Sequence, residues 1–200
     1  MPSPNLTRIY IRSWRYVTLV SLLGLLLAIG FSLLQPLKYS STVRLLITQT
    51  NVTGIDPYTA VKSTERIAQN LQQVILTTSF FNAVVASESV DATYFPEDEI
   101  KRRNVWANTV ETRVAAGTGV MSVIAYHPMR SQATAIAVRV AQEVANQAPN
   151  YFGYAVRVQI IDDPLPSSFF AKPDFVRNGL FGAVLGFLVS SIWVLGRVRT

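Results

Sequence analysis

Two long uncharged apolar runs, Tyr16 to Leu37 and Asn178 to Gly196, sit near the two ends of the chain and constrain its fold more than any other feature. Each is long enough to cross a bilayer as a helix, because a hydrocarbon core of roughly 30 Å needs about 20 residues at ~1.5 Å rise. The stretch between them, residues 38–177, has the composition of a folded soluble domain, and the order of its strand and helix signals, given below, makes the expected class α+β. The expected organisation is a tail (1–15), a first membrane helix (16–37), one domain (38–177), a second membrane helix (178–196) and a second tail (197–200). A cleaved leader does not fit the first run. It is longer than a typical signal core, and Leu33-Leu34-Gln35-Pro36 offers no small-x-small cleavage site.

Charge is distributed to suit that organisation. The net charge is +6, yet Arg8, Arg12 and Arg15 in the first tail and Arg197 and Arg199 in the second supply five of those charges. The central stretch is nearly balanced, with 13 basic and 12 acidic residues. A nucleic-acid surface would instead concentrate cations on the folded domain, so nucleic acid is not an expected partner. Counting charges beside each run favours internal tails and an external domain by five to four, a narrow margin, and long loops translocate largely regardless of charge. The chain has no cysteine, which excludes disulfides, thiolate nucleophiles and cysteine metal sites. Asn51-Val52-Thr53 has the form of a glycosylation acceptor, a triplet that also arises by chance.

The central stretch alternates strand and helix signals. Tyr39 to Gln49 is rich in β-formers and predicts a strand. Asp56 and Pro57 suit a helix start, followed by apolar positions Ala60, Ile67, Leu71, Val74 and Ile75 at near-helical spacing. Ser79 is placed to cap a short helix containing Phe80, Phe81, Val84 and Val85, and 90–95 reads as irregular. Pro96 to Glu99 opens a helix to about Asn108, with Glu97, Asp98 and Glu99 in its first turn, where the helix dipole favours anions. Thr109–Ala115 and Val120–Tyr126, separated by Ala116-Gly117-Thr118-Gly119, read as a hairpin. His127-Pro128 ends it, a long helix starts at Ser131, and Val156–Ile161 is the last strand. Strand, helices, strand, strand, helix, strand is the order of a split βαβ (ferredoxin-like) domain with helices on one face of a small sheet.

No catalytic set assembles from these residues. The single histidine, His127, reads as a loop residue, and neither a nucleophile elbow nor a phosphate loop occurs. Asp162 and Asp163 are neighbours on a strand or loop and do not form an acid–base pair by themselves. The expectation is a protein without cofactor, metal or enzymatic activity. Lys101, Arg102 and Arg103 form the one basic cluster of the domain; a solvated helix face explains them, and contact with an anionic glycan, a lipid-linked phosphate or the acidic run of a neighbouring subunit is the functional alternative. Trp106 and Tyr94 have the chemistry to stack on sugars, although core burial is the simpler account. In the apolar runs, Gly182, Gly186 and Ser190 have small-xxx-small spacing, and Gly24, Ala28 and Ser32 form a similar face. Small residues let helix backbones approach in lipid, so these faces predict helix packing, within the chain or between subunits.

In this order the features resemble the Wzz-type chain-length-determinant family, also called polysaccharide co-polymerases. The residues carrying the likeness are Tyr39-Ser40-Ser41-Thr42 leading to Leu45 and Ile47, the segment Leu71 to Ser79, His127-Pro128 with the alanine-rich stretch Ala133 to Ala148, and Val158 to Asp162 followed by Pro164, Pro166 and Pro173 before a glycine-containing apolar run. The resemblance covers nearly the whole chain. It implies a bacterial plasma-membrane protein with internal tails, an extracytoplasmic α/β domain and a homo-oligomeric ring, acting beside a polysaccharide polymerase or export machine. The function implied is control of the length or export of an exopolysaccharide, capsule or lipopolysaccharide O-chain. Pro164, Pro166 and Pro173 correspond to the family's proline-rich juxtamembrane segment. With about 140 residues in its domain the chain is similar to the compact type, and residues 196–200 are too few to fold as a kinase, so any tyrosine kinase would be a separate partner. A membrane sensory or adaptor module signalling to such a partner is the alternative function.

Overall fold

The computed structural model describes residues 6–50, 56–153 and 156–199, with the side chains of 6–12, 57 and 197–199 outside the description. The Asn51-Val52-Thr53 triplet, the start of the predicted turn, and the side chains of Arg8, Arg12, Arg197 and Arg199 therefore lie outside the described residues. The chain divides into two units, with boundaries at Leu37/Lys38 and Ala171/Lys172.

The helical unit holds α1 (Leu6–Leu33) and α6 (Phe175–Arg199). Within them, Ser13–Leu33 and Phe175–Gly196 are long and apolar enough to cross a membrane. Both ends nearest the sheet unit in sequence differ from expectation. α1 stops at Leu33 instead of continuing to Leu37. The amides of Leu34 and Gln35 fall back on the carbonyls of Phe31 and Ser32, and Pro36 has no amide with which to continue. α6 starts three residues early, at Phe175, because the Asp174 carboxylate accepts the Arg177 amide at 2.9 Å and so satisfies an orphan donor of the first turn.

The second unit is built on four strands: β1 (Tyr39–Gln49), β2 (Val110–Val114), β3 (Val120–His127) and β4 (Val156–Pro166). Their order across the sheet is β2-β3-β1-β4, and every neighbouring pair is antiparallel. Four helices belong to the same unit: α2 (Pro57–Ile75), α3 (Thr78–Val85), α4 (Glu99–Thr109) and α5 (Arg130–Phe152). Alternation along β1 decides which face they cover. Ser41, Val43, Leu45 and Ile47 are buried, whereas Arg44 between them is exposed. On α5 the buried stripe is Ala133, Ile136, Ala137, Val140, Ala141, Val144 and Ala148, and its alanines let the helix lie close to the strands. The core, a single cluster running from Val43 to Val158, fills the space between that sheet face and the helices.

Local chemistry explains where the elements begin. The Asp56 carboxylate accepts the amides of Tyr58 and Thr59, the expected cap of α2. The short helix α3 is capped by Thr77, not Ser79. The Thr77 hydroxyl accepts the Phe80 amide, which places Ser79 inside the first turn. Asp98 caps α4 through the Lys101 amide, so only Glu99 of the acidic trio stands within its first turn. The stretch read as irregular contains a 3-10 turn, Ala92–Tyr94, nucleated by the Asp91 side chain. Gly117 adopts φ +69° in the β2–β3 turn, a left-handed conformation that suits glycine. α5 begins at Arg130 with no side-chain cap, not at Ser131.

The largest departure is in β4. It extends to Pro166, five residues beyond the expected end at Ile161, through Asp162, Asp163 and Pro164. β4 is an edge strand, so amides on its outer side have no ladder to join and prolines are tolerated there. Register shifts against β1 between Thr42 and Leu45 absorb the irregularity.

Candidate functional site

Three groups of residues stand out from the sequence, and the structure treats them differently. The first is the small-residue faces of the apolar helices. Gly24, Ala28, Gly182 and Gly186 come together in one antiparallel seam. A Cβ built on Gly24 would collide with the carbonyl of Gly182, and one built on Gly182 would meet both the Gly24 carbonyl and the Ala28 methyl. Gly186 lies equally close to the backbone of Val20 and Ser21. At one end of the seam the Asn178 amide donates to the Ser32 hydroxyl at 2.9 Å, and at the other Tyr16 stacks on Trp193 with 5.2 Å between ring centroids. Ser190 is buried along the same stripe of α6, its hydroxyl turned back to the Phe187 carbonyl at 2.8 Å. The opposite face of α1, with Leu19, Leu22, Leu23, Leu26 and Leu27, is exposed. Apolar faces turned outward around a polar-ended, glycine-lined seam have the chemistry of a helix pair in lipid.

The second group is the basic run of α4. Its three members do not converge on one point. Arg103 pairs with Glu99 one turn earlier at 2.7 Å, and both are exposed. Arg102 lies over the Phe81 ring, its guanidinium carbon 5.4 Å from the centroid. The Lys101 side chain is exposed. Arg102 and Arg103 form one wall of a shallow cleft with Leu76, Thr77, Thr78, Phe81 and Trp106. Trp106 is closed to solvent at 1% exposure, and its indole nitrogen donates to the Ile75 carbonyl at 2.8 Å. Phe81 and Phe95 meet Trp106 edge-on. The ring is therefore a core element that closes the C-terminal end of α2, and it has no free face for a sugar. Tyr94 likewise packs against Phe95 and His127.

The third group, the prolines, is split. Pro164 and Pro166 belong to β4 in the sheet unit, with Pro166 opposite Ser41, whereas Pro173 belongs to the helical unit. Between them, residues 167–171 run on beside the start of β1. The Ser167 amide donates to the Ser40 carbonyl and the Ala171 amide to the Lys38 carbonyl, both at 2.7 Å. Asp162 faces Arg44 across the bulged register at 3.7 Å, an exposed pair.

His127, expected in a loop, is instead the last residue of β3 and only 3% exposed. Its Nδ1 accepts the Met129 amide at 3.0 Å, which puts the proton of the neutral ring on Nε2, an atom with no hydrogen-bond partner among the described residues. Burial holds the imidazole below its ordinary value; the nearby Asp91 carboxylate opposes that effect and the Lys38 ammonium reinforces it. The strand alternation of β3, which already buries Met121, Val123 and Ala125, places residue 127 on the same face and is the signal that could have found it. Among the described residues, no group of three or more histidine, aspartate or glutamate side chains is arranged to hold a metal. The chain matches no family model and no curated protein.

Proposed function

We propose that this chain is a membrane-anchored scaffold of the Wzz type that sets the length or assists the export of a surface polysaccharide, acting through assembly of several copies and not through bond-making chemistry. In this reading the sheet unit is a split βαβ, ferredoxin-like domain held outside a bacterial plasma membrane. The strand order, with β1 and β3 central and β2 and β4 at the edges, supports that architecture, as does the packing of helices, among the described residues, on one face only.

One observation carries the proposal. β1 and β4 are adjacent and antiparallel, so the chain enters and leaves the sheet unit at the same end, where Ser41 faces Pro166. The two apolar helices that flank this unit in sequence pair antiparallel along a glycine seam. A domain whose two exits lie side by side, joined to two membrane-competent helices that pair with each other, is a device for presenting a rigid body at a membrane surface. The exposed cations of α4 supply a surface for an acidic glycan, a polymerase or a second copy.

The test is deletion of the gene followed by gel analysis of surface polysaccharide. The proposal expects a changed modal length or a reduced yield, restored by the intact chain. An unchanged length distribution together with an unchanged yield refutes it.

A further inference from the structure

Hydrogen bonds hold apolar side chains uncovered by protein at one end of the sheet unit, where burial would normally remove them from the surface. Leu165 is 73% exposed, Phe169 84% and Phe170 45%. The segment carrying them is not a loose loop, because its amides at Ser167 and Ala171 are tied to the carbonyls of Ser40 and Lys38. The Ser40 amide in turn donates to the Ser167 hydroxyl at 3.0 Å. Phe170 leans on Tyr39 with 4.6 Å between centroids, which braces the segment from behind and leaves Phe169 projecting. A pinned display of large apolar groups marks a surface that meets something apolar.

Chain connectivity identifies what that is. Phe169 is six residues from Phe175, the first residue of the α6 span, so the two are at most ~20 Å apart along the chain. Tyr39 stands six residues beyond Leu33, the end of the α1 span. Lys38 and Lys172 bracket the same stretch. Aromatic rings beside lysines, just outside two apolar spans, match the composition of a bilayer interface, where rings sit at headgroup level and ammonium groups meet phosphates. We propose that Leu165, Phe169 and Phe170, backed by Tyr39, form a lipid-docking edge that seats the sheet unit on the headgroup region of the membrane its own helices span. This inference rests on the membrane reading above and adds a second contact with lipid.

The absence of native cysteine makes the test direct. Phe169→Cys, Thr118→Cys and Leu27→Cys are made singly in the full chain, labelled with a nitroxide and placed in nanodiscs of mixed zwitterionic and anionic phospholipid. Collision with oxygen, which partitions into lipid, is compared with collision with a water-soluble nickel chelate. Thr118, in the exposed β2–β3 turn, reports water, and Leu27, on the exposed face of α1, reports acyl chains. The expected oxygen-to-nickel ratio at position 169 is roughly threefold or more above that at position 118 and below that at position 27. A ratio at 169 equal to that at 118, with 27 still lipid-like, overturns the docking edge and leaves the membrane reading standing. A label at 169 shielded from both reagents, with spin–spin broadening, assigns the edge to a second copy and also overturns the inference. A water-like ratio at 27 overturns both.

Discussion

Replacing Gly182 with leucine tests the helix seam where it is tightest. The Cβ alone would lie roughly 1 Å inside van der Waals contact with the Gly24 carbonyl, and the Ala28 methyl blocks an alternative path. One obstacle is backbone and the other a methyl attached directly to it, so the helices must separate instead of a side chain moving aside. A gap of that size forfeits a quarter to a half of the dispersion energy of each facing pair, and in lipid no hydrophobic effect between helices compensates. The expected loss is about 1–3 kcal/mol, or roughly 5- to 150-fold in the pairing equilibrium. The assay is intramolecular crosslinking of Tyr16→Cys to Trp193→Cys by a short bifunctional thiol reagent, at positions whose rings stack at 5.2 Å in the parent, in a chain with no competing thiol. Gly182→Leu should reduce the crosslinked fraction several-fold, while Leu185→Val, on the exposed side of the same helix, should leave it unchanged. Equal crosslinking in Gly182→Leu and the parent would refute the claim that close backbone approach at this glycine holds the pair.

Two further predictions concern the sheet unit. Trp106→Phe removes the donor to the Ile75 carbonyl and should cost about 1–3 kcal/mol, whereas Trp106→Ala should cost about 3–5 kcal/mol through the cavity it leaves; urea denaturation of the full chain in micelles, followed by circular dichroism, measures both. The native state holds the imidazole of His127 below the ordinary histidine value of 6.5, so the unfolded chain binds the proton more readily. That contribution to stability is therefore complete above about pH 7 and is lost as pH falls through 6.5 toward the native value, a slope that His127→Gln should flatten.

How far the fold was legible depended on whether the deciding interaction was local. Asp56 announces α2 because a cap needs only its own next three residues. Thr77 and Ser79 both offer a hydroxyl, and only the packing of Phe80 and Phe81 into the core selects the first. The length of β4 was hidden because prolines normally stop a strand; its position at a sheet edge, a long-range fact, removes that objection. The spacing of Gly24, Ala28, Gly182 and Gly186 identified packing faces without naming partners, and the structure pairs them within one chain. Trp106 offered two roles from its sequence, and the hydrogen bond to Ile75 together with full burial assigns it to the core. The clamp that displays Phe169 could not be seen beforehand, since it joins residues more than a hundred positions apart.

The central claim is that two paired helices cross a membrane and hold residues 38–171 on the far side from both tails. Labelling of Thr118→Cys in intact cells with a membrane-impermeant maleimide tests it most directly, with Ser3→Cys as the opposite marker. The account predicts modification of position 118 in intact cells and of position 3 only after permeabilisation. Modification of position 118 only after permeabilisation would contradict it.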